Sequence, residues 1–173
     1  MNQIILLSGP PGAGKTSVAH ALCERFDRML LVEVDDLRHM VRAGYRHPWI
    51  ADHQAIEQLE LGSRNAAAIA LQSIAMRYAV VVTDVITVQA AEWYRDALAQ
   101  SPARVELVTL LPTIEGTLRR DAARRRNGGR VRGVVGGQFP QRVAPVPLHR
   151  RVGLVRAQRR HHRRRQFRQG CPQ

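Results

Sequence analysis

The amino-acid sequence predicts one α/β domain with three layers, in which helices cover both faces of a parallel sheet. Short apolar runs alternate with helical segments of ten or more residues, which is the pattern of crossover units. A glycine-rich sequence follows the first apolar run, and acidic residues follow two later runs. Such positions share the carboxyl edge of a parallel sheet, where the sites of these folds lie.

Four strands are predicted because each run is short, apolar and bounded by turn residues or acids, as buried parallel strands are. Helical spacing follows each of them: Val18, Ala21, Leu22 and Phe26, for example, share one helix face. Gly62 is the point at which we expect the longest helix to break. The predicted strands cover residues 3–8, 29–34, 79–83 and 104–111, and the predicted helices cover 16–26, 54–76, 89–100 and 114–126.

The residues after the first strand, GPPGAGKT, satisfy the pattern G-x-x-x-x-G-K-[ST] between a strand and a helix. In this pattern backbone N–H groups cradle phosphates, Lys15 reaches the outer phosphates and the Thr16 hydroxyl ligates Mg²⁺. No N-K-x-D motif for guanine is present, which favours ATP with Mg²⁺ over GTP. The predicted nucleotide-binding residues are Gly9, Pro10, Pro11, Gly12, Ala13, Gly14, Lys15, Thr16 and Ser17.

An acidic pair, Asp35 and Asp36, follows the second strand, and Arg38 comes next. A carboxylate there can accept the proton of an attacking hydroxyl, and we assign this role to Asp35. Arg38 is expected to hold an acidic neighbour or a substrate phosphate. The alternative is helix capping, and Asp36 is interpreted equally well as a cap or as a magnesium or substrate contact.

Asp84 ends the third strand, which suits a carboxylate that steers magnesium through water or pairs with Arg38. An ordinary loop acid would produce the same pattern. Farther along, arginines crowd the helix that begins at residue 114. Arg120 and Arg124 lie four residues apart on one face, so we predict that they close over the transferring phosphoryl group. The alternative is a solvated basic face.

Residues 39–53 lie where an acceptor would approach the acidic pair. They include Tyr45 and Trp49, which are expected either to stack on a ring or base, or to pack against the core. The histidines of this segment lack the spacing of a zinc site.

These motifs together resemble the small P-loop kinases of the AAA_33 type, which are similar to the kinase domain of polynucleotide kinase, to zeta toxin and to chloramphenicol phosphotransferase. The resemblance covers roughly residues 2–128. It implies a P-loop NTPase fold, Asp35 as the catalytic base, the motif arginine at Arg38, the acid of the third strand at Asp84 and a lid arginine within 119–126. The family phosphorylates nucleic-acid ends, antibiotics and sugar nucleotides, which leaves the acceptor open.

The sequence departs from that resemblance after residue 129. Such kinases close with a fifth strand and an acid-containing helix, and neither is visible here. Residues 1–129 carry 15 Lys and Arg against all 14 acids, whereas residues 130–173 carry 12 arginines and no acid. We therefore divide the chain into a kinase domain, 1–129, and an irregular arginine-rich tail, 130–173. The tail is either a basic arm for nucleic acid or, as we favour, the product of a shifted reading frame.

The sequence thus predicts an ATP-dependent phosphotransferase that acts on a hydroxyl of a small molecule or polynucleotide. Two alternatives stay open: an ATP-binding protein without transfer activity, such as a truncated kinase, and a nucleic-acid-binding module that acts through the tail. No signal peptide or membrane span is recognisable, so the cytoplasm is the expected location. Two distant cysteines, Cys23 and Cys171, predict neither a disulfide framework nor a metal knuckle.

Overall fold

The computed structural model describes residues 2–113, which form alternating strands and helices. The predicted helix at 114–126, the lid arginines and the tail lie outside this range. Within it, no helix is both long and apolar enough to span a membrane. The elements are β1 (Gln3–Ser8), α1 (Lys15–Cys23), β2 (Met29–Glu33), α2 (Val34–His39), α3 (His53–Ala75), β3 (Ala79–Thr83), α4 (Val88–Ala97) and β4 (Arg104–Thr109).

The four strands form one parallel sheet in the order β2-β3-β1-β4. This confirms the predicted α/β class with a parallel sheet. The two central strands are the most apolar, and every residue of β3 is buried. Parallel strands with helices on both faces have no solvated side, which explains why these runs do not alternate between polar and apolar residues.

Two apolar clusters fill the two faces of the sheet and make the three layers. Because successive strand residues point to opposite faces, Ile4 and Leu6 pack on the side of α3 and α4, whereas Ile5 and Leu7 pack on the side of α1. The first cluster is the larger one. Alanines of α3, including Ala66 and Ala70, have no exposed surface, so this helix lies very close to the strands.

The longest helix is continuous, in contrast to the expected break at Gly62. That residue is buried in the middle of α3. A glycine in a helix interior costs about 0.5–1 kcal/mol relative to alanine, but the 23 residues of α3 include enough tertiary contacts to keep the helix intact. The glycine serves the packing of α2, as described below.

The second strand ends one residue earlier than predicted, because α2 begins at Val34 directly after Glu33. Asp35 and Asp36 therefore lie in the first turn of a helix, where their charges are favourable to the helix dipole. The interpretation of Asp36 as the N-cap is wrong: the N-cap is Glu33, and its side chain makes no capping hydrogen bond.

Candidate functional site

The carboxyl ends of three strands meet at one edge of the sheet. In the register of the sheet, Glu33 of β2 lies beside Thr83 of β3, and Thr83 lies beside Leu7 of β1. Neighbouring strands are about 4.8 Å apart. The residues that follow these positions, namely Gly9, Asp35 and Asp84, therefore converge at this edge, as the sequence predicts.

The phosphate loop, residues 9–14, has a backbone that only glycine adopts readily at three positions. Gly9, Gly12 and Gly14 have φ angles of 147°, 78° and 92°. At Gly9 a Cβ atom would also lie 2.7 Å from the carbonyl oxygen of Leu110, just beyond β4. A side chain is therefore excluded there both by conformation and by space.

Two side chains of the loop motif lie at the beginning of α1. The Lys15 ammonium donates hydrogen bonds to the carbonyl oxygens of Gly9 (2.7 Å) and Pro10 (3.2 Å), so it lies across the loop. Gly14 is the N-cap and offers no side chain, and no acid occupies the first turn of α1. The N–H groups of this turn and the positive end of the helix dipole are thus directed at the loop.

Glu33 is a site residue that sequence reasoning missed. The Thr16 hydroxyl donates a 2.8 Å hydrogen bond to its Oε1 atom, which joins the end of β2 to the phosphate loop. A signal was present in the sequence, because Glu33 interrupts the apolar run MLLVEV and stands two residues before Asp35. The apolar pattern around it predicts only a strand position.

A buried arginine connects the two acidic positions that the sequence predicted. Arg38 is 8% exposed. It forms an ion pair with Asp35 one helical turn earlier, and its Nη1 atom lies 3.5 Å from Asp84 Oδ1. Of the two roles expected for Asp84, the pairing with Arg38 is the one that the geometry displays.

Asp84 has further donors around it. Its Oδ1 atom accepts a 2.7 Å bond from the Val85 N–H, and its Oδ2 atom accepts a 3.0 Å bond from the Tyr94 hydroxyl. Burial raises the pKa of Asp84, while Arg38 and these two hydrogen bonds act in the opposite direction. Burial, together with the negative charge of Asp84, raises the pKa of Tyr94 as well, so the phenol stays a donor. Tyr94 was not recognised in the sequence.

Gly62 lies directly against the stem of Arg38. A Cβ atom at this position would lie 3.0 Å from Arg38 Cγ and 3.3 Å from Val34 Cγ1. The absence of a side chain thus lets α2 pack directly against α3. The stem of Arg38 lies in the space that this leaves, and its guanidinium contacts Asp35 and Asp84.

The oxygen atoms at this edge of the sheet suit a nucleotide bound with magnesium. Among residues 2–113 no group of three or more His, Cys, Asp or Glu is arranged to hold a metal ion by itself. Magnesium in nucleotide sites needs only one or two protein oxygens, since phosphates and water supply the rest. The Thr16 hydroxyl with the Glu33 carboxylate meets this requirement, and the glycine backbone of the loop leaves room for phosphates.

The predicted residues fall into two groups. The loop residues 9–17, Asp35, Arg38 and Asp84 are brought to one edge of the sheet. Ser17 lies there in the exposed part of α1. Arg120 and Arg124 lie outside the described residues, and their role as a lid stays a prediction.

Comparison with solved structures places this fold among the P-loop kinases. The tunicamycin resistance protein of Deinococcus radiodurans is 22% identical, with a TM-score of 0.53 over 75% of this chain and 72% of that one. The APS kinase of Mycobacterium tuberculosis, in complex with AMPPNP and APS, is 21% identical, with a TM-score of 0.50 over 73% and 75%. The Pnkp1/Rnl/Hen1 RNA repair complex contains a chain that is 19% identical, with a TM-score of 0.54 over 75% and 39%.

These identities establish the fold alone. No curated protein matches the sequence at a significant level. The family model AAA_33, described as an AAA domain, matches residues 4–143 and so extends beyond residue 129, where the composition changes. The match covers well over half of the chain and confirms the resemblance drawn from the motifs: the protein belongs to the AAA_33 family and has the fold of the P-loop kinases.

Proposed function

We propose that this protein is an ATP-dependent phosphotransferase that moves the γ-phosphoryl group of ATP to a hydroxyl group. One observation carries the proposal: a carboxylate, Asp35, is held by a buried arginine at the same sheet edge as the phosphate loop. A protein that only binds nucleotide does not need this arrangement. The fold shared with P-loop kinases supports nucleotide-dependent phosphotransfer in general.

The donor side is formed by the loop and α1. Backbone N–H groups of residues 12–14 and the Lys15 ammonium bind the phosphates of ATP, for which Lys15 exchanges its bonds to the loop carbonyls. Thr16 is the proposed magnesium ligand, and Glu33 positions it and the water around the metal. Magnesium, when bound, neutralises charge that develops on the phosphate oxygens.

The acceptor side is formed by α2. The acceptor oxygen attacks the γ-phosphorus, the bond from that phosphorus to the β-γ bridging oxygen breaks, and ADP leaves. Asp35 takes the proton of the hydroxyl. Arg38 holds Asp35 in place, and Asp84 in turn holds Arg38. The water-mediated magnesium role of Asp84 stays a prediction. Arg120 and Arg124 remain the proposed lid residues that stabilise the transferring group.

The test compares two neighbouring acids. Asp35→Asn should keep ATP binding, measured by calorimetry, and lose transfer by about 10²–10⁴-fold, the usual contribution of a general base. Asp36→Asn, its exposed neighbour, removes the same charge one position on and is expected to lose less transfer than Asp35→Asn; weaker binding of magnesium or of the acceptor in Asp36→Asn would identify Asp36 as a contact instead. Acceptors to assay are a nucleoside, an oligonucleotide with a free 5′-hydroxyl, a sugar and a sugar nucleotide. Wild type that binds ATP but transfers only to water would refute the proposal.

The role of Glu33 has its own measurement. Glu33→Gln keeps the size of the side chain and an acceptor for Thr16 but removes the charge. We expect the magnesium concentration needed for half-maximal ATP binding to rise about tenfold, as for other groups that act through a metal ligand. ATP binding in the absence of magnesium should not change. Equal magnesium dependence in wild type and Glu33→Gln would exclude this role.

A further inference from the structure

Four rings contact one another in series, from the last residue of α2 through the connection between α2 and α3, and none of them takes part in the site described above. His39 stacks on Tyr45 at 5.5 Å between centroids, and Tyr45 meets His47 edge-on at 5.2 Å. His47 then stacks on Trp49 at 4.4 Å with the planes 11° apart. We call His39, Tyr45, His47 and Trp49 the ring ladder.

The ring ladder is held in place by contacts with α3. Gly44 has a φ of 69°, which turns the chain back so that Tyr45 returns to His39. The Gln58 side chain accepts a 2.8 Å bond from the Arg46 N–H and donates a 2.8 Å bond to the Gly44 carbonyl. The Arg46 side chain also bonds Gln54. The rings are therefore arranged before any ligand arrives, which lowers the entropy cost of binding.

One end of the ladder lies beside the proposed catalytic base. Asp35 and His39 are four residues apart in α2, so they share a helix face with about 5–6 Å between their Cβ atoms. The other end is open. Trp49 is 53% exposed, and among residues 2–113 no ring other than His47 contacts it. The interpretation of Trp49 as a core residue is therefore wrong.

The chemistry around the ladder is basic and aromatic. Residues 39–51 contain Arg42 and Arg46 and no acid, and Arg46 pairs at 3.6 Å with Asp52, just beyond this segment. Exposed aromatic faces between positive charges are what proteins use to stack nucleobases, while the charges attract the phosphates. A sugar or an aliphatic acceptor would gain less from a planar face of this kind.

We propose that the ring ladder is the acceptor subsite and that it binds a nucleobase, which stacks on the exposed face of Trp49. The acceptor thus carries a nucleobase, as a nucleoside, a nucleotide or the end of a single strand does. That the bound base belongs to the phosphate acceptor rests on the proposed function. The binding of a base to Trp49, however, can be measured without any transfer.

The experiment uses tryptophan fluorescence. The chain has two tryptophans, and Trp93 packs against the core, so Trp93→Phe leaves Trp49 as the reporter. The protein is saturated with a non-hydrolysable ATP analogue and titrated with a short single-stranded oligonucleotide, with thymidine, and with an abasic strand of equal length. Should Trp93→Phe fail to fold, the difference in fluorescence between wild type and Trp49→Phe gives the same signal.

The oligonucleotide is expected to quench Trp49, and the abasic strand is not. Quenching by thymidine as well would identify a nucleoside acceptor, and quenching by the oligonucleotide alone would identify a strand end. Trp49→Ala should weaken oligonucleotide binding about 5- to 150-fold, whereas Met76→Ala, at another exposed position just after the far end of α3, should leave it unchanged. No quenching by either base-bearing probe, or equal quenching by the abasic strand, would overturn the proposal.

The two proposals fail separately. Asp35→Asn in the Trp93→Phe background should lose transfer and keep the quenching of Trp49. Quenching without transfer to any acceptor would leave the base-binding ladder in place and refute the phosphotransferase. Transfer to a hydroxyl without quenching would support the phosphotransferase and refute base binding at Trp49.

Discussion

The phosphate loop and the network around Arg38 lie at one edge of the sheet, yet they are built in opposite ways. The loop consists of consecutive residues whose backbone does the binding, and its shape depends on glycine φ angles. The network takes Arg38 from α2, Asp84 from the end of β3 and Tyr94 from α4, and α3 supplies the space at Gly62. One part is local and the other depends on the whole tertiary fold.

This difference predicts how each part responds to mutation. A change in a loop side chain that points to the ligand should alter binding and transfer but leave folding nearly intact. A change in the network should affect stability and transfer together, because a buried charge loses its partner. The following variants test that separation.

The largest effect is expected for Arg38→Met. Removing one partner of a buried ion pair costs about 3–5 kcal/mol, because Asp84 keeps a buried charge without its cation. Transfer should be lost as well. Arg64→Met is the matched control, since Arg64 pairs with Glu60 on the exposed face of α3 and should cost no more than about 1 kcal/mol. Urea denaturation measures the free energy of unfolding of both variants. Equal losses would contradict the view that the buried network, and not the exposed pair, depends on its charge partner.

Lys15→Met should act on chemistry alone. We expect transfer to fall about 10²–10³-fold, as when one stabilising donor of a transition state is removed, with a change in the free energy of unfolding within about 0.5 kcal/mol. Lys15 is the single lysine of the sequence. An amine acylating reagent should therefore modify one side chain in the wild type, and ATP should protect it. A large loss of stability would show that the loop is not local.

The third prediction concerns pH and Asp84. Burial raises the pKa of this carboxyl in the folded protein above the ordinary value of 3.8. Its contribution to stability is therefore complete below that value and is lost as the pH rises through the folded pKa. The free energy of unfolding of wild type minus that of Asp84→Asn should fall from about pH 4 upward, by at most about 1.4 kcal/mol per pH unit. A difference that increases with pH would contradict the raised pKa.

The smallest effect is expected for Gly62→Ala. At an open helix position this change stabilises by about 0.5–1 kcal/mol. Here the new Cβ would press on Arg38 and Val34, so we expect a net loss of about 1 kcal/mol together with lower transfer, because the guanidinium is displaced. A gain in stability with unchanged transfer would show that the contact relaxes freely.

The same contrast explains what could be predicted from the sequence. The bounds of β1 and β3 and the residues of the loop follow from local patterns, and the structure confirms the parallel sheet that these patterns predict. The ends of β2 and β4 differ from the prediction by one and two residues, since apolar runs do not show where pairing stops.

The partners of the network could not be predicted in the same way. Tyr94 reaches Asp84 only because α4 crosses the end of β3, and nothing in its own helix distinguishes it from a core tyrosine. Recognising Glu33 as a site residue requires knowing that the end of β2 contacts Thr16 at the beginning of α1. The ring ladder depends on the return of the chain at Gly44, which brings together rings that are not adjacent in the sequence. Each case requires a contact between elements.

The direct passage from β2 into α2 has a consequence for motion. A hinge needs a few residues whose backbone angles can change without breaking hydrogen bonds, and such residues usually lie in loops or at element ends. Glu33 belongs to the sheet and Val34 already belongs to the helix, with its side chain fully buried. We therefore expect Asp35 and Arg38 to move together with the sheet. In the proposed reaction, any closure around ATP and the acceptor would therefore have to bring other parts of the protein to this edge.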